Sequence, residues 1–198
     1  MAFVSKLDSI VEQSLRSFYQ DICTDWWGRE NEMVNLYACR LAKLVPQGQI
    51  GIEVAVRQLP LDDLLKIDRK VPGCCERKRI GAKDVVRKDL VIWPSARMTV
   101  WKDNLPMNEP LAIMEWKANH SHNRDRHNKN WRCHRWDVEW LRRTSLRRDM
   151  ESFIGYAVMV EDTQNPKAVT CTRVQVGAVD KKFLQLPAKA ATRTAAGS

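Results

Sequence analysis

Val85–Trp93, VVRKDLVIW, and Leu111–Ala118, LAIMEWKA, set the frame into which the rest of the chain must fit. Both are apolar runs of strand length, set apart by the turn residues Pro94, Asn104, Pro106, Asn108 and Pro110, and both read as central strands. Asp89 sits inside the first run, where an uncompensated carboxylate would be costly to bury. Twenty-six residues later the second run carries Glu115 and Lys117. The two-residue period of a strand puts these two on one face and turns Met114 and Trp116 to the other.

Upstream, Leu7, Ile10, Val11, Leu15 and Phe18 recur at helical steps and predict an amphipathic helix from Leu7 to Tyr19. A second helix follows Gly28, with Glu30, Met33, Val34, Tyr37, Leu41 and Leu44 on one stripe, and Pro46 and Gly48 stop it. Gln49–Arg57 (QIGIEVAVR) alternates as a strand with Ile50, Ile52, Val54 and Val56 on one face, closed by Pro60. A short helix over Leu61–Ile67 and a basic loop containing Pro72, Gly73, Cys74 and Cys75 come next.

Downstream, Asn119–Arg135 (NHSHNRDRHNKNWRCHR) is too polar to pack as a core element and is expected to be a surface loop. Asp137 then caps a helix carrying Val138, Leu141, Leu146, Met150, Phe153, Ile154, Ala157 and Val158, with Thr144 and Ser145 as an interruption. Val169–Val176 reads as a further strand, and the Ala/Lys/Thr tail from Pro187 has little to bury and is expected to fray. The layout is mixed α/β: an N-terminal helix over 1–27, one domain over 28–186 and a flexible tail over 187–198.

At 198 residues the chain has room for one sizeable core. Thirty-three Lys and Arg against 24 Asp and Glu give a formal charge of +9, which favours a polyanionic partner, nucleic acid first. The six cysteines show no CxxC spacing and are expected to be reduced. The first twenty residues hold Lys6, Asp8, Glu12 and Arg16 and no continuous apolar stretch, so an intracellular, cytoplasmic protein with no membrane partner is expected.

Two carboxylates on neighbouring strands are hard oxygen ligands of the kind Mg²⁺ takes beside phosphate oxygens and water. A lysine next to them can orient or help deprotonate an attacking water and offset phosphate charge, a combination suited to phosphodiester hydrolysis. On Lys88-Asp89-Leu90 and Glu115-Trp116-Lys117 the chain resembles the PD-(D/E)XK nuclease superfamily, with Asp89 as the metal-binding Asp and Glu115-Trp116-Lys117 as the ExK. Lys88 stands where the motif's name has Pro.

The resemblance implies a restriction-endonuclease-like core, a central mixed four-stranded sheet flanked by helices in the order αβββαβ. It also implies a Mg²⁺-dependent DNA endonuclease in which Mn²⁺ substitutes. Many members add a carboxylate from the first core helix, and Glu30 matches it, with Glu32 the weaker candidate.

Lys88, Arg124, Arg126, Lys129, Arg132 and Arg135 are candidates for phosphate contacts, and Trp131 for stacking on a base. His120, His122, His127, Cys133 and His134 carry zinc-type donors at a spacing poor for a zinc module. Most of the eight tryptophans fall in or beside apolar runs and read as packing. Two other functions compete. One is a non-catalytic nucleic-acid-binding or accessory subunit of a defence or mobile-element system, and the other is an interaction module using the segments around Trp93 and Trp101. A homodimer would serve either, and the residues do not separate DNA from RNA.

Overall fold

The computed structural model describes residues 6–23, 28–74, 85–98, 101–102, 105–119, 124–147, 150, 152–163 and 166–187, without the side chains of 47, 101, 105 and 124–127. Helices α1 (Leu7–Ile22) and α2 (Glu30–Leu41) lead into β1 (Ile50–Arg57), α3 (Leu61–Lys70) and β2 (Val85–Ile92). The two-residue strands β3 (Trp101–Lys102) and β4 (Leu105–Pro106) follow, and then come β5 (Ala112–Asn119), α4 (Arg124–Thr144), β6 (Ile154–Glu161), β7 (Ala168–Gln175) and β8 (Ala178–Leu186).

The main sheet is mixed and has six strands in the order β1-β2-β5-β6-β7-β8, not the four expected. The pairs β1–β2 and β2–β5 are antiparallel, β5–β6 is parallel, and β6–β7 and β7–β8 are again antiparallel. The parallel pair needs a crossover, and α4 supplies it.

Each face of the sheet has its own apolar layer. α1 lays Leu7, Val11, Leu15, Phe18 and Ile22 beside Met33, Tyr37 and Leu41 of α2, over Leu90, Met114, Trp116, Tyr156 and Val158. The Trp116 ring centre lies 5.2 Å from Phe18 and 5.1 Å from Tyr37, an aromatic cluster that fixes the roll of β5. On the other face α3 and α4 pack Leu64, Ile67, Cys133, Trp136, Trp140 and Leu141 over Val54, Val56, Val91, Ile113 and Ala157. α1 therefore belongs to the same core as the rest of the described chain.

Two expectations about the second half are corrected. The polar segment expected to be a loop is helical from Arg124, and its apolar stripe of Cys133, Trp136, Trp140 and Leu141 begins inside it. Asp137 is accordingly a buried mid-helix residue rather than a cap. The helix expected to reach Val158 ends at Thr144, and Ile154–Glu161 is a strand. With both faces covered, Ile154–Val160 reads as unbroken apolar text and carries no period by which to tell strand from helix.

β8 has no counterpart among the strands expected from the sequence. It joins β7 through Val176 and Gly177, whose φ values of 46° and 75° are those of a two-residue type I′ hairpin turn.

The alternation of β1 also breaks. Ile50 packs on the first layer and Val54 and Val56 on the second, whereas Ile52 is exposed. The switch falls at Glu53, whose φ of 54° is left-handed. β2 switches at the residue opposite, Asp89: Val86 packs on the second layer, while Leu90 and Ile92 pack on the first. Among the described residues no helix is long and apolar enough to cross a membrane.

Candidate active site

The sheet forks beside Asp89. β2 and β5 pair only over Leu90↔Met114, Val91↔Ile113 and Ile92↔Ala112, while β5 keeps its full pairing with β6 as far as Asn119. The edge of β5 from Trp116 onward thus loses its neighbour, and backbone groups exposed in a buried notch must find other partners.

Side chains supply them. Asp89 Oδ2 accepts the Trp116 N–H at 2.7 Å. The Lys117 ammonium donates to the Trp116 carbonyl at 2.6 Å, and the Asn130 amide donates to the Ala118 carbonyl at 2.7 Å. The fork is where Asp89 and Lys117 meet, because each replaces part of the missing strand, and Glu30 joins them through the Lys117 ammonium.

Lys117 is the hub. Its Nζ lies 3.4 Å from Asp137 Oδ2 and 3.5 Å from Glu30 Oε1. Burial alone would push this ammonium down, but the surrounding acids, Asp137 first and then Glu30, Asp89 and Glu115, outweigh it and hold Lys117 well above its ordinary value. A lysine so held keeps its proton near neutrality; it is suited to holding an anion or orienting water, and not to taking a proton.

Glu115 is buried deeper. Desolvation pushes its carboxyl well above the usual range, with Lys88 opposing and Asp89 and Asp137 adding to the rise. Lys88 forms a direct ion pair with Glu115 Oε1, both side chains almost inaccessible, and its Nζ sits 3.6 Å from the ring centre of Trp140. The half-buried Glu30 is also raised, by desolvation first, with Lys117 opposing and Asp89 adding.

All four sequence-derived centre residues, Asp89, Glu115, Lys117 and Glu30, therefore act on one another. Glu32, the weaker candidate, instead bonds the Arg29 N–H at 2.5 Å as part of the α2 cap.

Asp137 joins the centre from within α4, where the sequence places a helix cap and so hides it from the candidate list. His134 and Asn119 are further additions. His134, one turn before Asp137 on α4, is held neutral: burial and the Lys117 charge lower its pKa to about 4. Asn119 lies on the Glu115 and Lys117 face of β5, and its buried amide has no hydrogen-bond partner among the described residues.

The basic candidates separate. Lys88 is interior and engaged, so it cannot be the surface phosphate contact expected of it. Lys129, Arg132 and Arg135 are exposed on α4 at three-residue steps and form one stripe. Arg124 and Arg126 belong to the same helix, but their side chains fall outside the described residues, as does that of His127. His120 and His122 lie outside them altogether. Trp131 stands edge-on to His134 at 5.6 Å. Trp93 is buried, which removes it from the exposed patch an interaction module would need.

Magnesium is the metal that the resemblance implies, and the donors suit it in kind: Glu30, Asp89, Glu115 and Asp137 are all carboxylates around one notch. Among the described residues no group of three His, Cys, Asp or Glu is placed to hold a metal ion. Two ammonium groups already stand among these acids, Lys117 between Glu30 and Asp137 and Lys88 on Glu115. Comparison of the chain with protein-family models, with curated proteins and with solved structures finds no match in any of the three.

Proposed function

We propose that this protein is a divalent-metal-dependent nuclease of the PD-(D/E)XK type, acting on DNA, with its centre at the fork between β2 and β5. The observation that carries the reading is the convergence of Asp89, Glu30 and Lys117 on the unpaired edge of β5, beside the buried Glu115. The topology supports it. α2, β1, β2, β5, α4 and β6 follow in the order αβββαβ, and β1-β2-β5-β6 are adjacent strands with only the last pair parallel. On this reading β7 and β8 extend the four-stranded core.

Asp89, Glu115 and Glu30 are the residues that would hold Mg²⁺ or Mn²⁺; no three of the described acids stand placed for a metal ion, so binding requires these carboxylates to draw together. Such a cation, when bound, offsets the negative charge that builds on phosphate during an in-line displacement. The chain's own residues do the rest. Lys117, kept protonated by Asp137 and Glu30, presents a fixed positive charge to a phosphate oxygen or to the attacking water. Asp137 is a positioning residue: it faces Lys117 from α4 and sets where the ammonium points. The stripe of Lys129, Arg132 and Arg135 offers sequence-independent phosphate contacts along the same helix.

If the role of Lys117 is electrostatic, Lys117→Arg should keep measurable cleavage of a supercoiled plasmid while Lys117→Met loses it by about 100-fold or more. Full activity in Lys117→Met would end the mechanism.

One observation favours a second reading. The Lys88–Glu115 ion pair occupies a carboxylate that catalysis requires, as expected if the chain is a binding or accessory subunit that no longer cuts. Metal binding separates the two readings.

A further inference from the structure

Lys88 would face away from Glu115 if β2 alternated regularly, since it neighbours Asp89 in the strand. The face switch at Asp89, opposite the left-handed Glu53, carries it instead to the α4 side of the sheet. Its long aliphatic stem is then enclosed, its Nζ rests 3.6 Å from the centre of the Trp140 ring, and the remaining charge meets Glu115 Oε1. Apart from this ion pair, Glu115 Oε1 has no hydrogen-bond partner among the described residues. An aromatic face and one carboxylate form a fitted seat for a single positive charge at a position where the proposed nuclease needs a divalent one.

We propose that Lys88 is a built-in counter-cation that caps Glu115 and must be displaced before a divalent cation can take the centre. The inference rests on the nuclease reading above and adds regulation of its metal site. The ammonium and the metal compete for one carboxylate, so the resting state is held closed and metal affinity is set below what the acids alone would give. Trp140 holds the displaced state in check because leaving its ring costs the ammonium a favourable contact in a desolvated site.

The test uses the full chain and needs no substrate. Mn²⁺ is titrated against tryptophan fluorescence in the wild type, Lys88→Met and Trp140→Leu, with the exposed Lys129→Met as a control for loss of one positive charge. Lys88→Met should lower the half-saturating Mn²⁺ concentration by about tenfold or more. Trp140→Leu, which leaves the net charge alone, should lower it less, and Lys129→Met should leave it nearly unchanged.

A wild-type measurement guards against variants that fail to fold: amine acylation read by mass spectrometry should label Lys88 in Mg²⁺ and spare it in EDTA. Mn²⁺ binding by the wild type, with Lys88→Met no tighter or Lys88 labelling indifferent to Mg²⁺, overturns the counter-cation and leaves the nuclease reading standing. Absence of Mn²⁺ binding in both wild type and Lys88→Met overturns the metal centre, and the counter-cation with it.

Discussion

Asp137→Asn removes one charge from the acids around Lys117 with almost no change in shape, and its effect can be worked from the distances. Two unit charges 3.4 Å apart, the separation of Lys117 Nζ and Asp137 Oδ2, attract by about 5 kcal/mol at an effective dielectric near 20. Desolvation of both groups takes back a large part of this, and Glu30 at 3.5 Å shares the ammonium. A net coupling of about 2 kcal/mol between residues 117 and 137 remains.

The assay is urea unfolding of the wild type, Asp137→Asn, Lys117→Met and the double variant. With a slope of about 2 kcal/mol per M, Asp137→Asn should lower the midpoint by about 1 M. The double variant should be more stable than the sum of the single effects predicts, because once Lys117 is gone Asp137 is a buried charge without its nearest cation. Additivity within about 0.5 kcal/mol would show that Asp137 does not hold Lys117, and the positioning role would fall.

His134 supplies a pH dependence. Its folded pKa, lowered to about 4 from 6.5, means that the unfolded chain binds the proton first as pH falls. This contribution is intact above pH 6.5 and is lost as pH falls toward 4, by up to about 3 kcal/mol. His134→Gln should flatten that part of the stability curve, and a variant that keeps the wild-type slope would contradict the assignment. On the surface, changing Lys129, Arg132 and Arg135 together to Gln should weaken binding to duplex DNA and make the salt dependence shallower by a slope of about 2 to 3, measured by fluorescence anisotropy across a salt series. An unchanged slope would take the stripe out of the interface.

The centre was legible where a polar residue interrupts apolar text. Asp89, Glu115 and Lys117 stand out because strands buried on both faces tolerate few charges, and period-two geometry correctly joined Glu115 to Lys117 and turned Met114 and Trp116 to the other layer. Glu30 was reachable because it shares a helical stripe with Met33, Val34, Tyr37 and Leu41. Asp137 was not, because an acid between a polar segment and an apolar run also suits a helix start. The stripe of Cys133, Trp136, Trp140 and Leu141 was the signal that the helix had already begun.

Lys88 illustrates a different limit. Its place on the Glu115 side depends on a break in strand alternation at Glu53 and Asp89, and a glutamate does not announce the left-handed backbone found at Glu53. Phe153–Val160 shows the limit of periodicity itself, since a run buried on both sides has no polar face to count from.

The most direct test of the account is incubation of the purified chain with supercoiled plasmid and single-stranded DNA in Mg²⁺, Mn²⁺ or EDTA, beside Asp89→Ala. Metal-dependent strand cleavage that disappears in EDTA and in Asp89→Ala is the result expected of the fork at β2 and β5. DNA binding without cleavage in either metal, or cleavage that survives Asp89→Ala, would contradict it.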